Sequence, residues 1–173
     1  MAKLGVYMLL IVCSVVAAGV YGMVHNQVSY TVGASYFHDL KFAQFGLPAD
    51  ISPRFGAALV GWQASWWMGL AVGLVPMTFA LLIFANAQSL WFAGKRALIV
   101  AICGTLLSSC MGLAFGIFTI TPKIADRVST IANTPSEIGF LRAATMHDFT
   151  YMGAIVSLFA ALWTVRRYKN QMT

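Results

Sequence analysis

The side chains best suited to chemistry in this chain are two histidines that flank long apolar segments. His25 follows the apolar segment 4–24, and His147 opens the apolar segment 147–166. If both segments cross a membrane, the two imidazoles lie at matching depth, at one edge of the hydrocarbon layer. Three polar side chains lie near them in sequence: Tyr30 follows His25, Asp148 is adjacent to His147, and Tyr151 lies one helical turn below His147.

Two imidazoles beside a carboxylate suit several kinds of ligand. They can hold a metal ion, or ligate a haem iron from its two axial faces, and His25 and His147 are the candidate ligands. Arginines on the same side would add affinity for an anionic lipid or phosphate. The predicted patch for a ligand or partner comprises His25, Tyr30, Arg54, Arg142, His147, Asp148 and Tyr151.

A purely structural role competes with this patch. Histidine and tyrosine are amphipathic and settle at membrane interfaces, where they can pin loops by hydrogen bonds to carbonyl groups. The spacings HxxxH, HExxH and CxxC are absent from the sequence, and matching depth fixes only one coordinate of each histidine. Cys13, Cys103 and Cys110 all lie in apolar segments, where cysteine behaves as a small apolar residue.

The composition excludes several classes of function. Of the 173 residues, 60% are hydrophobic and only 9% are charged. Away from their ends, the apolar segments contain no aspartate, glutamate, histidine, lysine or arginine, the side chains that proton-coupled transporters use. Neither a nucleophile elbow nor a glycine-rich phosphate loop is present, which favours a non-catalytic protein. The net charge of +6 comes from scattered basic residues without interleaved aromatics, and this argues against nucleic-acid binding.

The elements that must position these residues are four membrane-spanning helices. Each uncharged segment is long enough to cross a bilayer, and the segments with their connections occupy the whole chain. This predicts one all-α membrane domain, residues 1–173, folded as a four-helix bundle with a small outer cap of loops and short interfacial helices. The predicted spans are about 4–24, 57–84, 97–120 and 147–166, and the outer segments are 25–57 and 121–146.

The distribution of charge predicts the orientation of the bundle. All five acidic residues fall within 25–57 and 121–148, whereas the other polar pieces carry only basic residues. Because loops rich in lysine and arginine stay in the cytoplasm, both termini and the 86–96 turn are predicted to be cytoplasmic. The basic residues of that side are Lys3, Lys95, Arg96, Arg166, Arg167 and Lys169.

Small residues recur at every fourth position of the second and third spans. Lipid provides no hydrophobic drive for helices to associate, so close backbone approach must supply the packing energy. We therefore expect these two spans to pack closely, against partners in the same chain or in another copy. The predicted packing residues are Gly61, Ser65, Gly69, Gly73, Gly104, Ser108, Gly112 and Gly116.

Local patterns predict the elements of the cap. Apolar residues alternate with polar ones over 28–32, which predicts a short strand. A short helix is expected over 36–45, closed by glycine. A second, amphipathic helix is expected over 121–133. The sequence of 134–137 has the pattern of a capping box, which predicts that the last long helix begins near 135, outside the membrane.

Several motifs together resemble a family of uncharacterised bacterial four-span membrane proteins. They lie in the first outer segment, at the start of the second span and at the head of the last one. The motifs are His25-Asn26-Gln27-Val28-Ser29-Tyr30, Tyr36-Phe37, Lys41-Phe42-x-Gln44-Phe45-Gly46, Arg54-Phe55-Gly56, Trp66-Trp67-x-Gly69 and Met146-His147-Asp148-x-Thr150-Tyr151-x-Gly153. The resemblance implies the topology and a bacterial inner membrane, but supplies no activity.

These features together predict a small, non-catalytic integral membrane protein. Its outer face would bind a partner protein, a lipid or a small ligand. One alternative is a metal- or haem-binding membrane subunit that uses His25 and His147, and another is a channel-like homo-oligomer built on the small-residue stripes. No cofactor is predicted beyond that metal ion or haem. The expected partners are membrane lipids and, in addition, another membrane protein or a second copy of the chain.

Overall fold

The computed structural model describes residues 2–172 and confirms an all-α polytopic bundle. The chain is 87% helical, with no strand among the described residues. Four of its helices are long and apolar enough to cross a membrane. The helices are α1 (Lys3–Val32), α2 (Ala34–Tyr36), α3 (Phe42–Gln44), α4 (Pro53–Ile83), α5 (Ala87–Thr119), α6 (Pro122–Ala132) and α7 (Ile138–Asn170), with a π-helical turn (Phe37–Lys41) between α2 and α3.

The chain marks several helix ends with residues suited to them. Asn86 caps α5 by accepting a hydrogen bond from the Ser89 amide through its side chain, and Thr121 caps α6 in the same way. Proline stands at the first turn of α4 and α6, where its missing amide hydrogen is not needed. Asn133 ends α6 in the left-handed conformation that asparagine tolerates.

The four long helices form two tightly packed pairs. In the first pair, α1 lies against α4, and a Cβ added to Gly22 or to Gly61 would come within 2.2 Å of the other's carbonyl oxygen. Gly69 meets the Ser14 carbonyl in the same way, and Gly73 meets the Ser14 hydroxyl. Only glycine permits this backbone approach, so the stripe that includes Ser65 packs against α1.

The second pair is α5 with α7. A Cβ at Gly104 would lie 2.3 Å from the Ser157 hydroxyl, and one at Gly153 would lie 2.3 Å from the Cβ of Ser108. Gly112 faces Phe149, and the end of the same stripe, Gly116, faces Arg142. The stripes of the second and third spans thus face different partners within the chain, and α4 and α5 touch each other much less.

The bundle is closed differently at its two ends. At the end with the chain termini, here called the terminal end, Leu10, Met77, Phe84 and Leu90 form an apolar core. At the opposite end, here called the capped end, Tyr36 and Phe37 of the short helical segment fold over the bundle. They pack with Ala57, Phe140 and Ala143 from the starts of α4 and α7.

The capped end differs from two local predictions. The strand predicted over 28–32 is wrong, because α1 continues to Val32 with Gly22, His25, Asn26 and Ser29 buried at helical spacing. The capping box at 134–137 does not form: α7 begins at Ile138, and its cap residue Glu137 makes no side-chain hydrogen bond. The amphipathic helix predicted over 121–133 is present as α6.

Candidate functional site

The structure brings the two histidines into direct contact at the capped end. The ring centroids of His25 and His147 lie 4.7 Å apart, and the rings are perpendicular. Both residues are buried, with 7% and 8% of their surfaces exposed. Because α1 and α7 place them at the same level of the bundle, the contact joins a residue of each helix pair.

Each imidazole is anchored by a serine on another helix. His25 Nδ1 lies 3.0 Å from the hydroxyl of Ser109 on α5. His147 Nε2 lies 3.2 Å from the hydroxyl of Ser29 on α1. These hydrogen bonds fix the orientation of both rings and link α1, α5 and α7.

Aromatic rings enclose the histidine pair. Tyr21 stacks on His25 with ring centroids 5.7 Å apart, and Tyr36 stacks on His147 at 5.0 Å. Phe37, which is fully buried, contacts His147 from a third direction. The pair is therefore shielded from water by the short helical segment of the cap.

Two buried polar atoms in this cluster have no hydrogen-bond partner. They are His25 Nε2 and the hydroxyl of Tyr21, one helical turn apart on α1. The Tyr21 hydroxyl lies near the side chains of Thr150 and Ser109, but it makes no hydrogen bond of standard geometry to either. Buried polar groups are nearly always satisfied, so two unsatisfied ones on the same helix face indicate space for a polar group that the chain does not provide.

A cavity lies directly below this cluster, between the two helix pairs. It has a volume of about 90 Å³, and Tyr21, Thr105, Thr150 and Tyr151 line its polar part. The rest of its wall consists mainly of small and apolar side chains from α1, α4, α5 and α7, among them Ala17, Ala18, Met68, Val72, Ala101, Ile102 and Ala154, together with Ser14 and Ser65. The wall of the cavity is therefore mainly apolar, with the two tyrosines and Thr150 on its capped-end side.

Charged groups stand beside the cavity and not in it. Tyr151, which lines the cavity, is 39% exposed, and the exposed carboxylate of Asp148 precedes it on α7. Lys41 interacts electrostatically with this carboxylate. Its ammonium group lies over the ring of Tyr36, 5.3 Å from the ring centroid. Burial lowers the pKa of Lys41, and Asp148 partly opposes that shift. Burial raises the pKa of Tyr36.

Arg54, a residue of the predicted patch, directs its hydrogen-bond donors to other groups of the protein. Its guanidinium donates to the Gln27 carbonyl at 2.9 Å and to the Thr31 hydroxyl at 3.0 Å. It also lies over the ring of Tyr30, 4.8 Å from the centroid. The Gln27 side chain returns a hydrogen bond to the Arg54 carbonyl. These contacts pin the end of α1 to the start of α4.

Arg142, at the other helix pair, also directs its hydrogen-bond donors to oxygen atoms of the protein. Its guanidinium donates to the carbonyls of Gly116, Ile117 and Ile120, at distances of 3.2 to 3.5 Å. These carbonyls lie at the C-terminal end of α5, where the last turn leaves some carbonyls without intrahelical partners; that of Gly116 also accepts from the Ile120 amide. A cation at this position also complements the helix dipole. Arg142 therefore stabilises the junction between α5 and α7.

Tyr30 is separated from the buried cluster as well. Its hydroxyl lies 2.9 Å from Nε2 of His38 in the π-helical turn, on the exposed side of the cap. The structure thus brings together His25, His147 and, at the edge of the cavity, Asp148 and Tyr151. It assigns Tyr30, Arg54 and Arg142 to contacts that hold the cap in place.

The geometry does not fit the proposed metal and haem sites well. Among residues 2–172, no group of three or more histidine, cysteine, aspartate or glutamate side chains is arranged to hold a metal ion. A haem ligated from both faces needs a slot between the imidazoles that is wide enough for the porphyrin. The rings of His25 and His147 are in edge-to-face contact and leave no such slot.

Sequence reasoning missed Tyr21, Ser29, Tyr36 and Ser109, which complete the cluster. Tyr21, His25 and Ser29 follow one another at intervals of four residues, a helical spacing that the strand predicted at 28–32 concealed. No protein-family model, curated protein or solved structure matches this chain. The fold and the site therefore define the class, a small four-span membrane bundle, and the resemblance noted from the motifs stays a prediction.

Proposed function

We propose that this protein is a non-catalytic membrane protein that binds a small lipid-like ligand in the capped half of its bundle. The polar group of the ligand would meet Tyr21, and a short part of its apolar chain would occupy the cavity of about 90 Å³ between the helix pairs. Of the occupants that the sequence left open, a partner protein, a lipid or a small polar molecule, the lipid-like one agrees best with the wall of this cavity.

One observation carries this proposal. The Tyr21 hydroxyl is buried and unpaired, and the same side chain lines a cavity whose other walls are mainly apolar. A ligand with a hydrogen-bond acceptor at one end and an apolar chain would satisfy both parts. A fully polar ligand would leave most of the wall unmatched, and a purely apolar one would leave the hydroxyl unpaired.

The arrangement of the core favours binding over conduction through a single chain. The cavity ends in the apolar core at the terminal end, where Leu10, Met77 and Leu90 each expose at most 1% of their surface. Water and ions have no polar path through that half. A channel would therefore require an oligomer, and the small-residue stripes that suggested one face partners within the chain.

The proposed orientation places the capped end outside the cell. The polar pieces at the terminal end carry basic residues and no acid, in keeping with the positive-inside rule. With the motif resemblance, this supports a bacterial inner membrane with both termini in the cytoplasm. The ligand would then reach the cavity from the outer leaflet, past Tyr151.

Photolabelling tests the proposal. The protein in mild detergent is exposed to a fatty acid that carries a diazirine on its chain, and labelled peptides are mapped by mass spectrometry. We expect labels on cavity residues such as Ala101 and Ala154. Ala154→Leu, which extends a wall side chain into the cavity, should reduce labelling severalfold. Ala114→Leu, an exposed position of α5 that faces lipid, is the matched control and should label like the wild type.

A second variant separates ligand binding from general packing. Tyr21→Phe removes only the unpaired hydroxyl and should weaken labelling while preserving the fold. Tyr168→Phe, at the terminal end, serves as its control. Labels spread evenly over the lipid-facing surface, or equal labelling of Ala154→Leu and the wild type, would contradict the proposal.

A further inference from the structure

The cations at the two ends of the bundle differ in what they contact. At the capped end, the donors of Arg54 and Arg142 are directed to carbonyl and hydroxyl oxygens of the protein. At the terminal end, no hydrogen bond or ion pair joins the side chains of five cations to another described residue. These five are Lys95, Arg96, Arg166, Arg167 and Lys169.

Aromatic rings hold four of these five cations in place. Arg167 lies over Trp163 at 5.2 Å from the ring centroid, and Arg96 lies over Tyr168 at 4.4 Å. Lys95 and Lys169 lie over Phe92 and Phe84. A ring attracts a cation to its face but accepts no ordinary hydrogen bond. The N–H donors of these four cations are therefore held by aromatic contacts and are still available for a ligand.

Two of the cations share a cavity on the lipid-facing side of α7. Trp163, Arg166, Arg167 and Asn170 line a shallow depression of about 350 Å³. They are spaced at helical intervals along one face, and Trp163 is 60% exposed. Trp163 precedes the two arginines by about one helical turn, so in a membrane its indole would occupy the interface next to their guanidinium groups.

We propose that this depression binds the headgroup of an anionic phospholipid from the leaflet at the terminal end. Arg166 and Arg167 donate to the phosphate, whose oxygens match the guanidinium fork. Trp163 packs along the glycerol and upper acyl chain. The polar pieces of this end contain no aspartate or glutamate side chain that could compete for these arginines.

This site lies at the opposite end from the proposed ligand cavity and does not depend on it. It also differs from a diffuse attraction of basic residues to an anionic membrane, which every cation of this end would share. The distinguishing feature is that two exposed arginines line one depression, whereas Lys95 and Arg96, on α5, do not line it.

A pair of double variants tests the site. R166Q/R167Q and K95Q/R96Q each remove two positive charges from the same end, but only the first pair lines the depression. Native mass spectrometry of the detergent-purified protein, titrated with phosphatidylglycerol or phosphatidylcholine, measures retention of each lipid. We expect the wild type and K95Q/R96Q to retain phosphatidylglycerol preferentially. R166Q/R167Q should retain it roughly 30-fold less tightly.

The controls distinguish the alternatives. R166K/R167K keeps the charge but not the fork, and should fall between the wild type and the glutamine variant. Equal loss in both glutamine double variants would overturn the proposal in favour of diffuse attraction. Equal retention of phosphatidylcholine, or displacement of the lipid by millimolar inorganic phosphate, would overturn it as well. Helix content from circular dichroism verifies that each variant is folded.

Discussion

The imidazoles of His25 and His147 meet edge to face, 4.7 Å apart between ring centroids, across the junction of the two helix pairs. One nitrogen of each ring is hydrogen-bonded to a serine hydroxyl of another helix, that of Ser109 for His25 and that of Ser29 for His147. The contact therefore does more than place two titratable groups side by side. It joins α1, α5 and α7 at the roof of the cavity and sets the position of the proposed ligand site.

The serine that anchors His25 should matter for stability. Ser109→Ala removes the partner of Nδ1 and leaves both ring nitrogens of His25 without a hydrogen bond. We expect a loss of roughly 1 kcal/mol in the free energy of unfolding, the scale of hydrogen bonds between membrane helices. Thermal unfolding in mild detergent measures it. Thr164→Val, which removes only a bond to the same helix, is the control, and an equal shift for both variants would contradict the anchoring role.

The glycine contacts of the first helix pair predict that alanine substitution lowers stability at Gly61 but not at Gly5. Gly61→Ala places a Cβ within 2.2 Å of the Gly22 carbonyl oxygen, so α1 and α4 must separate. We expect a destabilisation of roughly 1–3 kcal/mol. Gly5→Ala is the matched control, because nothing lies within 4 Å of the added carbon. It should be neutral or stabilising, since alanine favours helix, and the two variants should be compared by their unfolding midpoints.

Arg142 should act through the end of α5. Arg142→Gln loses the charge and the contacts to three carbonyls at the end of α5, and we expect the free energy of unfolding to fall by roughly 1–2 kcal/mol. Arg127→Gln, at an exposed position of α6, controls for the general loss of a positive charge. If Arg142→Gln instead abolished ligand labelling without any change in stability, Arg142 would belong to the ligand site and its capping role would be wrong.

Absorbance and metal analysis of the purified protein test the metal and haem alternatives. Because the histidine pair lacks a third ligand among the described residues and leaves no slot for a porphyrin, we expect the purified protein to have no Soret band. We also expect less than one transition-metal ion per chain by mass spectrometry of the acid-digested protein. One bound ion per chain that disappears in His147→Gln would contradict this account of the pair.

The sequence carried enough information for the membrane bundle but not for its site. Hydropathy identifies spans because each must satisfy the same bilayer thickness, and small residues at every fourth position indicate close helix contacts. Which helices pair depends on crossing geometry, so the partners of Gly61 and Gly104 stayed open. The roles of Arg54 and Arg142 were missed for a related reason, since their acceptors are backbone carbonyls, which every sequence contains.

The most direct test of the account is a crystal structure grown from a lipidic phase, with attention to the cavity between the helix pairs. The account predicts elongated density in the cavity, with its polar end within hydrogen-bonding distance of the Tyr21 hydroxyl. Closure of the cavity by the approach of the two helix pairs, or a water molecule alone on Tyr21 with no chain-like density, would contradict it.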